Sequence, residues 1–373
     1  YTSSSVIGKS GLEAVYEDKL KANDGAVIFI YDQNGNVKKE IAKKEAKNGQ
    51  NIRTTIDLNT QKLVYEQLKK DAGSSVVMNS KTGEVLALVS TPSYDPQDFA
   101  LGMDTKTWNA LNENKDHPLM NRITSVYTPG STFKMISAAI GLDSKTIDEN
   151  TAIEKVEKWQ KDKSWGNNYV TTTEQYTEPS NLKNALIYSD NIYFAKAALK
   201  IGSDELENSL IRLGFNEELP FEIKMAESQY SNTEGIETEI QLADSGYGQG
   251  QILVNPLHMA CIYSAFCNEG NVIKPYLVYQ NEAEAEYWIP GAFSNETASR
   301  VLEGTKKVVN DSNGTGYAAH RDDILLAGKT GTAEIKASKD DTSGTELGWF
   351  AIFTAEDTEC PILIISMVED VKG

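Results

Sequence analysis

The sequence predicts a mixed α/β chain of the α+β type, in which one antiparallel sheet is assembled from both ends of a long domain. Three observations lead there. Near the start, Ser75-Val-Val-Met-Asn79, the turn Ser80-Lys-Thr-Gly83 and Glu84-Val-Leu-Ala-Leu-Val89 read as a hairpin of core strands. Near the end come three more strand candidates, Ile324 to Ile335, Gly348 to Thr354 and Pro361 to Val368. The stretch between, from Thr91 to Leu257, carries mainly helix and loop signals.

The elements follow in order. Residues 1–52 form a small charged lobe, and 53–373 form the main domain. In the lobe, Ile7 to Leu20 has apolar positions at helical spacing, with Ser10 and Glu13 set for a capping box. Ala26 to Tyr31 reads as a strand turned at Asn34-Gly35 towards Val37. Lys-rich, apolar-poor sequence from Lys38 to Gln50 marks the boundary. Asn59 to Asp71 reads as a helix, and Phe133 to Leu142 as one apolar nearly all round, hence buried. Leu182 to Tyr188 and Asn191 to Ile201 are further helical stretches. No repeat of fixed period is visible.

Composition narrows the function. The chain has 373 residues, 40% hydrophobic and 24% charged, enough for two lobes and a large core. Its 36 basic residues against 54 acidic ones give a formal charge of −18. That excludes a nucleic-acid binder relying on phosphate neutralisation, and argues against an anionic membrane surface as docking site. No apolar run reaches the roughly eighteen residues that span a bilayer. The start, Tyr1-Thr-Ser-Ser-Ser5, has neither initiator Met nor a signal segment, so the chain is expected to be an excised fragment or a mature form. Cys261, Cys267 and Cys360 are expected to be buried free thiols.

The chemistry sits in three strings: Ser131-Thr-Phe-Lys134, Ser189-Asp-Asn191 and Lys329-Thr-Gly-Thr332. Ser131 and Lys134 are three apart and share a helix face. A hydroxyl needs a base to become a nucleophile, and Lys134 serves only when neutral. A free lysine titrates at about 10.4, and burial beside other cations lowers that by up to about 3–5. The apolar helix after Phe133 offers the dry surroundings. Ser189-Asp-Asn191 falls at a break between helical stretches, so Ser189 can relay a proton and Asn191 can hold Lys134 and a substrate carbonyl. Asp190 reads as a structural tie. Lys329, Thr330 and Thr332 lie on a strand and can receive a carboxylate, while Gly331 lets another backbone approach. The backbone N–H groups of Ser131 and Thr332 are candidates for an oxyanion hole. Two of the three strings have decoys in the chain: Ser180-Asn-Leu-Lys183 reads as a helix N-cap with a solvated lysine, Lys81-Thr-Gly83 as a hairpin turn, and Lys9-Ser-Gly11 lies in the lobe. A phosphate-binding loop at Gly328-Lys-Thr330 fails, because Asp323 stands where a glycine is needed.

The three strings in this order resemble the signature of penicillin-binding proteins and serine β-lactamases. Gly8-Lys-Ser-Gly-Leu-Glu-Ala-Val-Tyr16 is similar to the pedestal signature of class B penicillin-binding proteins. Arg53-Thr-Thr-Ile-Asp57, Ser90-Thr-Pro-Ser-Tyr-Asp95, Gly248-Gln-Gly250 and Asn255-Pro256 resemble their transpeptidase domain. Trp159 to Trp165 and Leu242 to Gly250 are similar to the low-affinity, resistance-associated branch of Gram-positive bacteria. The resemblance implies the transpeptidase fold of that group, with a five-stranded antiparallel sheet, helices on both faces, a helical subdomain and a pedestal lobe. It also implies a D,D-transpeptidase acting on peptidoglycan stem peptides, acylated by β-lactams, without cofactor or metal. Its implied partner is a cell-wall glycosyltransferase, and its implied place the outer face of the cytoplasmic membrane, held by an anchor absent from this chain. The C-terminal helix usual in the family is also missing before Gly373.

The expected catalytic set is Ser131, Lys134, Ser189, Asn191 and Lys329, with Thr330, Gly331 and Thr332 binding substrate. Rival readings are a serine β-lactamase, a D,D-carboxypeptidase, and a non-catalytic β-lactam sensor or scaffold. No Glu-x-x-Leu-Asn string supports a class A β-lactamase. Class D forms usually show Tyr-Gly-Asn where Ser189-Asp-Asn191 stands. A Ser-His-Asp triad is not indicated, because His117, His258 and His320 are scattered and no Gly-x-Ser-x-Gly elbow occurs. Without close pairing, the same histidines do not suggest zinc.

Overall fold

The computed structural model describes residues 6–172, 175–279, 285–335 and 344–371. Two compact units emerge, one of residues 1–54 with 278–281, the other of residues 55–277 with 282–373.

In the smaller unit the predicted long helix is two short ones, Gly11–Val15 and Glu17–Leu20, broken at Tyr16. The capping box is not formed: Ser10 makes no side-chain cap, and Glu17 instead accepts from the Gly8 N–H at 2.8 Å. Ala26–Tyr31 pairs antiparallel with Val37–Lys44. The turn between them is fixed by Asp32, whose Oδ1 accepts from the N–H groups of Asn34 (2.8 Å) and Asn36 (2.9 Å). The Lys-rich stretch expected to be a boundary is thus largely a strand. Its charges fit, since every residue of Val37–Lys44 is exposed.

In the larger unit, helix α1 (Leu58–Leu68) is capped by Asp57, whose carboxylate accepts from the Thr60 N–H at 2.7 Å. Strands β1 (Gly73–Asn79) and β2 (Val85–Thr91) form the predicted hairpin. After helices α2 (Lys134–Asp143), α3 (Leu182–Ile187), α4 (Asn191–Ile201), α5 (Pro256–Ser264) and α6 (Asn295–Asn310) come β3 (Leu326–Ile335), β4 (Thr345–Thr354) and β5 (Ile362–Val368). The sheet order is β2-β1-β5-β4-β3, five strands, all neighbours antiparallel. The first hairpin and the last three strands therefore meet in one sheet, with β5 beside β1.

Burial explains the order. Six of the seven residues of β1 are buried, as befits a strand covered on both faces, whereas β2 alternates buried and half-buried. Every residue of α5 is buried, and this helix packs on β5 and β1. Helix α6 packs on β3. The outer margin of β2 is closed by a side chain: the Gln61 amide donates to Leu88 O at 2.7 Å and accepts from Leu88 N–H at 2.8 Å. At the opposite margin, β3 is an edge strand.

The cysteines depart from expectation. Cys261 is buried, but Cys267 is half-buried and Cys360 exposed, all three as free thiols. Cys360 lies just before β5, in a turn that carries only a few apolar residues.

Candidate active site

Ser131 lies in a 3-10 turn, Gly130–Phe133, that runs straight into α2. In 3-10 geometry residues three apart eclipse, which aligns Ser131 with Lys134 more directly than α-helical spacing would. Gly130 leads in with φ of 53°, and a Cβ there would lie 2.3 Å from Thr332 O. Only glycine fits. The turn is held by others: Tyr263 Oη donates to Thr132 O (2.7 Å), Trp349 Nε1 donates to Thr128 O (2.9 Å), and Gly130 N–H donates to Gly248 O (2.9 Å). Gly331 of β3 abuts this turn, and its Cβ would sit 2.9 Å from Thr132 N. The backbone that approaches Gly331 is therefore the turn that carries Ser131.

Lys134 is wholly buried, and its amine meets three oxygens. Nζ donates to Ser189 O at 2.6 Å, Ser189 Oγ at 3.0 Å and Asn191 Oδ1 at 2.6 Å. Asn191 is oriented from behind, since its Nδ2 donates to Thr171 O at 3.1 Å. Lys329, also wholly buried on β3, donates to the same Ser189 Oγ at 3.0 Å and to Thr330 O at 3.1 Å. One serine hydroxyl thus joins both lysines. Its backbone is left-handed, φ 55°, at the break between α3 and α4. No hydrogen bond of the Ser131 side chain occurs among the described residues, and this residue is half-buried at the head of the same turn.

Asp190 holds the break in shape. Its Oδ1 accepts from the N–H groups of Ile192 (2.9 Å) and Tyr193 (3.1 Å), capping α4. Its Oδ2 accepts from Tyr176 Oη (2.7 Å) and Ser180 Oγ (3.0 Å). Ser180 is therefore not the cap that sequence suggested: Asn181 caps α3, accepting from Asn184 N–H at 3.1 Å, and Lys183 is exposed. Tyr176 stacks on Tyr188 at 4.4 Å between ring centres.

The electrostatics follow from burial. Dehydration, then the neighbouring Lys329 charge, hold the Lys134 amine well below the usual lysine range, opposed by Asp190. Dehydration alone lowers Lys329 to about 7. Neither amine has a carboxylate ion-pair partner among the described residues. On the cleft side of β3, Thr330 Oγ1 donates to Thr315 Oγ1 at 2.8 Å, while Thr332 is exposed.

Thr171, Thr315, Tyr176 and Tyr263 were missed by sequence reasoning. They sit in segments with no motif, and each reaches the site through one hydrogen bond. Histidine plays no part. His258 is buried between Ser228 Oγ (2.7 Å) and Leu213 O (2.8 Å), and burial lowers it to about 4. Among the described residues no group of three or more His, Cys, Asp or Glu side chains is arranged for a metal ion, and no helix is long and apolar enough to cross a membrane.

Residues 73–373 match the family described as the penicillin binding protein transpeptidase domain, and residues 1–54 match the penicillin-binding protein dimerisation domain. Penicillin-binding protein 3 of Bacillus subtilis is 43% identical over 374 residues, covering 100% of this chain and 55% of its own length. Peptidoglycan D,D-transpeptidase MrdA of Escherichia coli K12 is 28% identical over 364 residues, covering 90% of this chain and 56% of its own. The chain spans a little over half the length of these relatives. Among solved structures, the D,D-transpeptidase domain of a peptidoglycan glycosyltransferase from Eggerthella lenta superposes with TM-score 0.76 at 26% identity, covering 99% of this chain and 84% of that one. Penicillin-binding protein A of M. tuberculosis, as a ceftriaxone acyl-enzyme complex, gives TM-score 0.74 at 25% identity, covering 87% and 75%.

Proposed function

The chain belongs to the class B penicillin-binding proteins, and from that premise we propose that it is a serine D,D-transpeptidase that cross-links peptidoglycan stem peptides and is acylated by β-lactams. The observation that carries this reading is the Lys134–Ser189–Lys329 chain of hydrogen bonds in a dry site without carboxylate partners.

A count of protons supports a base role for Lys134. Ser189 O accepts only, and Asn191 Oδ1 accepts because its Nδ2 is committed to Thr171. An ammonium would fill all three surrounding acceptors. A neutral amine has two hydrogens for those two oxygens, leaving its lone pair for a hydroxyl. That lone pair takes the Ser131 proton, and Oγ attacks the penultimate D-Ala carbonyl. The oxyanion is received by the N–H groups of Ser131 and Thr332, each such donor lowering the barrier by roughly 3 kcal/mol. As the C–N bond breaks, the proton on Lys134 passes through Ser189 to the departing D-Ala amine. An acceptor amine then attacks the acyl carbon, and its proton returns along the same path to Ser131.

Lys329, with Thr330 and Thr332, receives the substrate carboxylate. Gly331 keeps the turn of Ser131 against β3. Residues 1–52 act as part of a pedestal, and 53–373 as the catalytic domain. The family acts on peptidoglycan outside the cytoplasm. For this protein we add an N-terminal membrane anchor and a glycosyltransferase partner.

Intact-mass measurement with benzylpenicillin over time tests the reading. The expected result is one stoichiometric adduct, long-lived, and absent from Ser131→Ala. An adduct on that variant would refute the assignment of the nucleophile, and fast loss of the adduct would point to a β-lactamase.

A further inference from the structure

Three lysines gather away from the catalytic centre. They line a cavity of about 170 Å³ between the end of α2 and the middle of α4. Lys145 lies just past α2, and Lys196 and Lys200 lie one turn apart on α4. Their neighbour Asp148 is the one acidic residue lining the cavity. Such a cluster is unusual in a chain with 36 basic and 54 acidic residues.

Each lysine comes at a cost. Lys145 holds φ of 57°, a left-handed position that closes the helix and that glycine would fill without strain. Lys196 and Lys200, four apart on a helix, repel each other, and Glu154 and Asp190 offset this for Lys196. Lys196 is already engaged, lying 5.3 Å over the Trp159 ring and donating to Glu154 O at 3.4 Å. Lys145 and Lys200 have no ion pair or side-chain hydrogen bond among the described residues. Elsewhere Lys81, Lys161, Lys274 and Lys306 all meet carboxylates.

The floor is different. Ile147, Tyr193 and Ala197, which line it, are buried, and Thr146 and Thr151 complete the lining with the exposed Lys145 and Lys200. We propose that this cavity binds a phosphate group, as the free ion or as the head of a small ester whose carbon part rests on the apolar floor. A doubly charged tetrahedral group satisfies several ammonium donors at once. The volume suits such a head and falls short of the roughly 300 Å³ at which drug-sized pockets begin. The site runs along α4 from Tyr193 to Lys200, beyond Asn191, and does not depend on the transpeptidase reading.

Methyl NMR titration of the full chain at constant ionic strength tests it, with inorganic phosphate in one arm and glycerol 3-phosphate in the other. Saturable shifts centred on the methyls of Ile147, Ile153 and Ala197 are expected. A tighter fit of the ester would identify esters as the source, and equal affinity the phosphate group alone. Lys145→Gln with Lys200→Gln should weaken binding at least about tenfold, since each loses a charge-assisted bond. Lys62→Gln with Lys70→Gln, on exposed positions, should change it less than about twofold by the same arithmetic. Equal weakening by both pairs, or shifts that never saturate, would mean diffuse attraction and overturn the site. Should the pocket variant fail to fold, Lys145→Arg with Lys200→Arg keeps both charges and should retain binding. Shifts centred elsewhere in the unmodified chain overturn the proposal without any variant.

Discussion

Two sets of lysines gather along one helix, and their surroundings make them different reagents. Lys134 and Lys329 converge on Ser189 at the head of α4 and are wholly buried. Lys145, Lys196 and Lys200 line an open cavity further along it. In the first set dehydration favours the uncharged amine, which prepares Lys134 for the proposed role of base. In the second the side chains line an open cavity, and Lys196 is lowered by its partial burial. Residue type is the same. What differs is access to solvent and the number of acceptors within reach.

The largest break in this comparison comes from Lys134→Met. It keeps the volume and removes the base, so the second-order rate of β-lactam acylation should fall by about 10² to 10⁴, the usual range for a general base. Stability should fall modestly, because Ser189 O and Asn191 Oδ1 lose their buried donor. Stopped-flow acylation and denaturant unfolding check the two halves, and an unimpaired rate would remove Lys134 from the mechanism.

The pH response comes next. Acylation should rise as pH climbs and Lys134, held well below the usual lysine range, sheds its proton, and should fall where Lys329, lowered to about 7, loses the charge that holds the carboxylate. Lys329→Met should erase the falling limb. The stability sign is fixed by the same shifts. Both lysines have folded values below those of the unfolded chain, which therefore binds more protons between about 7 and the unfolded value. Stability should rise with pH across that window, and less steeply in Lys329→Met. Urea melts at pH 7 and pH 9 read the difference.

A smaller effect is expected at Thr315→Val, which removes the acceptor of the Thr330 hydroxyl. One neutral hydrogen bond is worth about 1 kcal/mol, so acylation by a carboxylate-bearing β-lactam should slow about fivefold. A β-lactam lacking the carboxylate should lose less, and equal losses would make Thr315 merely structural. The smallest effect belongs to the open set: Lys145→Gln with Lys200→Gln should leave the acylation rate within about twofold, because neither side chain reaches the reacting atoms and screened charges act weakly at a distance. A larger fall would tie the two sets together.

How much of this could be read from sequence depended on whether a feature is local. The strands of the sheet were legible because β-branched runs bounded by turns carry their own period, and so was the break at Ser189-Asp190-Asn191. The catalytic strings were legible as a set, since their resemblance to a family fixes which Ser, Lys and Asn to compare. The Ser10–Glu13 cap was misread because spacing alone does not say where a chain bends, and Tyr16 ends the first turn. Lys38 to Lys44 looked unlike a strand because every residue of it is exposed and it lacks apolar alternation. Thr171 and Thr315 were invisible, being single hydroxyl or carbonyl contacts delivered by distant loops. The lysine cavity joins residues some fifty positions apart, and no pattern in the chain announces it.

The Gln61 amide has an effect on self-association. By answering both backbone groups of Leu88, it leaves that margin of the sheet with nothing to offer a visiting chain there. Strand addition at that margin is thereby blocked at Leu88, which keeps the β1–β2 hairpin from pairing with a second copy through its outer side.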